Sequence, residues 1–135
     1  GYNFTGELNL DAGDWHVKSI TSYRYFDRFQ RDDLDASDVN MFGQNNYYET
    51  SKTFSQEFVA NYDGSGFDLL LGAMYFHEDL FGQVLVPLTN LGLLFGLPAD
   101  TFDDQAYNQE GDVTIDAYGL FAQGTVDLSD RLKAT

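Results

Sequence analysis

The residues able to hold a metal or activate a nucleophile come in a few short groups, and each has a plainer account. His77, Glu78 and Asp79 are three potential ligands in a row. In an extended strand, neighbouring side chains point to opposite faces, so the three do not converge on one ion. Asp33, Asp35 and Asp38 have the acidity of a calcium loop but lack its central glycine and closing glutamate. Gly64-Ser65-Gly66 lacks the frame of a nucleophile elbow and reads as a turn between strands. Asn3-Phe4-Thr5 matches a glycosylation acceptor but falls inside an alternating segment, and His16 adjoins a turn. The absence of cysteine excludes disulfide staples, thiolate metal sites and cysteine nucleophiles. The sequence therefore predicts no enzyme, no metal and no cofactor.

Charge narrows the partners. With 22 acidic against 7 basic residues the formal net charge is −15, which disfavours nucleic acid, a ligand that needs a basic footprint. No run of 18 or more apolar residues occurs, so a transmembrane helix is excluded. A membrane-crossing β-strand is not, because it needs only about 9–11 residues with every second one apolar. The slightly negative mean hydropathy, together with 16% aromatic residues, fits such hidden strands. Both ends read as cut, since Thr135 falls inside a new strand, and the sequence predicts a fragment of a larger product.

The elements that would position these residues follow from period-two alternation. In 2–10, Tyr2, Phe4, Leu8 and Leu10 oppose Asn3, Thr5, Glu7 and Asn9. In 15–29, Trp15, Val17, Tyr23 and Tyr25 share one parity, and His16, Lys18, Arg24 and Arg28 the other. A helix would scatter these residues, whereas a strand sorts them. Segment 52–62 alternates Phe54, Phe58 and Tyr62 against Glu57. Segment 67–80 is apolar on both faces through its middle, which leaves a helix as a competing reading. Gly72, suited to close packing, favours a strand with Phe67, Leu69, Leu71, Ala73 and Tyr75 on one face. A further strand is expected over 113–127, and the start of a sixth over 132–135.

Connections alternate in length. Tight turns are expected at 11–14, 63–66 and 128–131, and long loops at 30–51 and 81–112, the second with a short helix inside it. The predicted fold is all-β, an antiparallel up-and-down meander forming part of a large transmembrane β-barrel. Such barrels keep short periplasmic turns at one end and long extracellular loops at the other. Tyr25 and Phe26 would then lie near one membrane interface and Trp15 near the other.

The run Trp15-His16-Val17-Lys18-Ser19-Ile20-Thr21-Ser22-Tyr23-Arg24 resembles a barrel strand of TonB-dependent receptors. Three further pieces follow in that family's order. They are Ser55-Gln56-Glu57-Phe58, then Gly72-Ala73-Met74-Tyr75-Phe76-His77-Glu78, then Ala117-Tyr118-Gly119-Leu120-Phe121-Ala122-Gln123 leading to Leu128-Ser129-Asp130-Arg131-Leu132. The resemblance covers most of the chain outside the long loops. It implies the bacterial outer membrane and active uptake of a scarce nutrient, such as a ferric siderophore, cobalamin or a saccharide. It also implies a barrel of roughly 22 strands closed by an N-terminal plug. TonB and the plug are implied partners through parts absent from these 135 residues, besides outer-membrane lipid and an extracellular nutrient ligand.

On that reading Arg24, Arg28, Glu57 and Glu78 face the lumen as a polar wall. Phe42, Tyr47, Tyr48, Phe102 and Tyr107, aromatic residues of the expected loops, are candidates for touching a ligand, with packing between loops as the alternative. Two other functions remain open. One is a passive porin or barrel-anchored surface protein. The other is a soluble acidic β-sandwich used for binding, for which five strands supply too few partners.

Overall fold

Alternation of side chains makes a strand worth forming only if its backbone finds partners, and here each strand pairs with the next in the chain. A computed structural model describes residues 1–33, 38, 42–129 and 131–135, and leaves the side chains of Gln44 and Asn45 undescribed. The elements are β1 (Tyr2–Ala12), β2 (Trp15–Asp33), β3 (Gln44–Gly64), β4 (Phe67–Pro87), β5 (Ala106–Ser129) and β6 (Leu132–Ala134). They form one antiparallel meander sheet in the order β1-β2-β3-β4-β5-β6. The all-β prediction and its five strands with the start of a sixth hold. Segment 67–80 is a strand, not a helix.

The strands are long, at 19 residues for β2, 21 for β3 and β4, and 24 for β5. Globular strands typically have about 5–6. They also outrun the expected loop bounds. The connection expected over 30–51 is shortened because β2 continues to Asp33 and β3 resumes at Gln44. The one expected over 81–112 is confined between Pro87 and Ala106, where the Leu88 N–H donates to Gln105 O at 3.0 Å. Alternation fades in these stretches because 30–33, 44–51 and 106–112 are largely polar on both faces and 84–87 apolar on both, but a ladder of backbone hydrogen bonds does not need two contrasting faces. Asp35 of the acidic run, and Asp130 of the last expected turn, lie outside the described residues.

Turn chemistry sets the short ends. Gly13 takes φ 64° in the tight turn from Ala12 to Trp15, and Gly66 takes φ 88° in the turn from Gly64 to Phe67. Both are left-handed values that glycine adopts without steric cost. Neighbouring turns are tied together, with Asp63 N–H donating to Asp14 O and Asp127 N–H to Gly66 O, each at 2.9 Å. The expected short helix between β4 and β5 consists of two 3-10 turns, Leu91–Phe95 and Ala99–Phe102. Phe95 and Phe102 meet edge to face at 6.4 Å there.

The chain divides into two units that share these strands. The first comprises Gly1, Phe26–Ser51 and Asp79–Val113; the second comprises Tyr2–Tyr25, Lys52–Glu78 and Thr114–Thr135. Neither encloses an ordinary core. Val86 is the one buried large apolar side chain among the described residues, while Leu8 is 75% and Leu120 88% exposed.

Candidate functional site

In the second unit the register separates the residues by chemistry. Tyr2 pairs with Tyr25, Phe4 with Tyr23 and Leu10 with Val17, which puts the even residues of β1 beside the odd residues of β2. Ring contacts carry the same face across the next strands. At the turn end Trp15 packs at a tilt on Tyr62 at 5.1 Å, and Tyr62 on Phe67 at 6.4 Å. At the other end of this unit Tyr2 touches Tyr23 and Tyr25, Phe54 touches Tyr75, and Tyr75 touches Tyr118 at 5.0 Å. Two rows of aromatic rings therefore lie on one face. Between them runs an apolar band with a shallow hollow of about 520 Å³, bordered by Val17, Phe58, Ala60, Leu71, Ala73 and Leu120.

One polar group interrupts the band and is satisfied internally. Gln56 Oε1 accepts from the Thr21 hydroxyl at 2.6 Å, and its Nε2 donates to Ser19 Oγ at 2.9 Å and to Glu57 O at 3.2 Å. At the second ring row Asp116 accepts from Tyr75 Oη and lies against His77 Nδ1, both at 2.9 Å. Sequence reasoning missed Asp116, since its partners are a strand away. His77 thus engages Asp116 across the strands, while Glu78 points to the other face. Among the described residues no group of His, Cys, Asp and Glu is arranged to hold a metal.

The opposite face is polar on β1 and β2. Lys18 Nζ meets Glu7 Oε2 at 2.9 Å, and His16 Nδ1 meets Asp11 Oδ1 at 2.7 Å. His16 stands at the turn end of its strand. Arg24, Glu57 and Glu78 sit on this polar side of their strands, as their parity requires. On β4 and β5 this face pairs glycines with large apolar side chains. The Phe121 ring lies over Gly72 and the Met74 side chain over Gly119, leaving no room for a Cβ at either glycine.

In the first unit β2, β3, β4 and β5 line a groove of about 560 Å³. Alternate residues supply its walls, with Arg28, Gln30 and Asp32 from β2 and Tyr47 and Glu49 from β3. Leu80 and Val84 of β4 and Gln109 and Val113 of β5 complete it. The Arg28 guanidinium donates to Gln30, whose Nε2 donates to Asp32 at 2.6 Å. Of the aromatics singled out by sequence, Tyr47 and Tyr48 line the groove, and Tyr48 also meets Phe81 at 6.0 Å. Three do not line it. Phe42 is half-buried in the β2–β3 connection, Phe102 packs on Phe95, and Tyr107 donates its hydroxyl to Gln109 at 2.7 Å. The groove carboxamides went unnoticed in sequence because nothing in their spacing marks them; only the strand register gathers them.

Comparison with protein-family models, with curated proteins and with solved structures found no match for this chain.

Proposed function

We propose that this chain is a wall segment of an outer-membrane β-barrel, specifically of a TonB-dependent receptor that takes up a scarce nutrient. One observation carries the barrel reading, namely the exposed apolar band bordered on both sides by rows of aromatic rings. At about 3.3 Å per residue, the strand from Trp15 to Tyr25 rises about 33 Å. Tilted by about 40°, as barrel strands are, it covers about 25 Å, the height of a barrel's lipid-facing band. Water makes such a face costly at about 25 cal/mol per Å² of apolar area. Hydrocarbon removes that cost, and aromatic rings prefer the two interfaces. A soluble sandwich would need a second sheet over this face, and all the described strands belong to one sheet.

The receptor reading, in place of a passive pore, is supported by the family-like order of segments from Trp15 to Leu132 and by the polar groove near the long connections. Two experiments test these levels in turn. The full gene product is expected in the outer-membrane fraction, and its electrophoretic mobility should change on boiling, as for folded barrels. Recovery from the soluble fraction would refute the barrel. Uptake of its nutrient by whole cells is expected to stop when a protonophore collapses the proton gradient. Uptake that continues undiminished would mean passive diffusion through a porin.

A further inference from the structure

Glycine in a strand interior is unfavourable by about 0.5–1 kcal/mol relative to alanine, so its presence calls for a reason. Gly72 and Gly119 have one, since Phe121 and Met74 occupy the space of a Cβ. Gly13 and Gly66 have another in their positive φ. Gly82 of β4 and Gly111 of β5 have neither. Neither takes a positive φ, and a Cβ added at either meets nothing within 4 Å among the described residues. Counting back along β4 and on along β5 from the Leu88–Gln105 bond brings Gly82 opposite Gly111. Both line the groove of the first unit. The pair makes a floor of bare backbone beside Tyr47, where a ligand can approach closer than any side chain would allow.

The walls select the ligand. Arg28 is the single cation among the lining residues, set against the carboxylates of Asp32 and Glu49, so an anionic ligand is repelled. Gln30 and Gln109 each carry both a donor and an acceptor, the pairing that a hydroxyl group requires on its partners. Tyr47 offers a flat apolar surface with a polar tip. The volume, about 560 Å³, falls within the roughly 300–1,000 Å³ of small-molecule sites. We infer that the Gly82–Gly111 floor, with Tyr47 and the carboxamides around it, is a binding site for a neutral, hydroxyl-rich ligand of the saccharide class. The inference rests on the nutrient-receptor reading, which already draws on this groove, and deepens it by naming the ligand class; binding itself does not require that uptake be energised.

The test is titration calorimetry on the purified full-length protein in an amine-oxide detergent, which carries no sugar. The probes are maltotriose, cellotriose and xylotriose, with glucose 6-phosphate and spermidine as charged comparisons. At least one neutral trisaccharide is expected to bind in preference to both charged probes. Gly82→Leu, which fills the floor, and Tyr47→Ala are each expected to weaken that binding at least ten-fold, while Lys18→Ala leaves it unchanged. Binding of none of the trisaccharides, preference for a charged probe, or wild-type affinity in both variants would overturn the inference. So would failure of Gly82→Leu to fold beside normal binding by Tyr47→Ala, which would mean that another part of the protein covers the floor. Because calorimetry needs neither a membrane potential nor TonB, its failure is separable from failure of the uptake experiment.

Discussion

At the scale of single residues, the clearest constraint is the space that Phe121 takes above Gly72. A Cβ there would fall inside the ring, so Gly72→Val forces the ring or the strand to move. The expected cost is about 1–3 kcal/mol, the usual penalty of overpacking. Urea unfolding of the refolded protein should show it, and Phe121→Ala in the same chain should restore much of the loss. No rescue would mean that the strand needs glycine at this position for another reason.

At the scale of elements, the two faces of each strand should respond differently to charge. Leu71→Arg puts a cation in the middle of the apolar band, where the expected cost is about 2–4 kcal/mol. Val17→Arg lies close to the Trp15 row and should cost less, because the long side chain reaches an interface. Lys18→Ala, on the polar face, removes only an ion pair between half-exposed groups and should change stability by less than about 1 kcal/mol. Folding yields into liposomes, measured by the heat-dependent gel shift, rank the three. Equal losses for Leu71→Arg and Lys18→Ala would refute the assignment of the faces.

At the scale of the whole molecule, the proposed membrane position makes a spectroscopic prediction. The fluorescence that depends on Trp15, obtained by subtracting a Trp15→Phe variant, should be quenched by lipids brominated near the headgroup more than by lipids brominated at the chain end. A rim of rings at an interface sits shallow in the bilayer. No quenching by either lipid would put Trp15 in water and remove the lower row from the membrane.

The all-β class and the order of strands were legible in the residues alone, because period two is local. Trp15, Val17, Tyr23 and Tyr25 announce their common face without reference to any other strand. The turns at Gly13 and Gly66 were legible for the same reason, since a positive φ asks for a particular residue. Strand ends were not. Gln44 and Ala106 extend their strands through backbone pairing that leaves no mark on side-chain pattern. Nor was the groove, apart from Arg28, Tyr47 and Tyr48. Gly82 and Gly111 are far apart in the chain, and which glycine stands opposite which is a property of register. The same holds for Asp116 beneath Tyr75 and His77. Sequence by itself determined which residues share a face of one strand, because that depends only on backbone geometry. Tertiary structure alone decided which strands' faces meet at a given height, because cross-strand hydrogen bonds set the register.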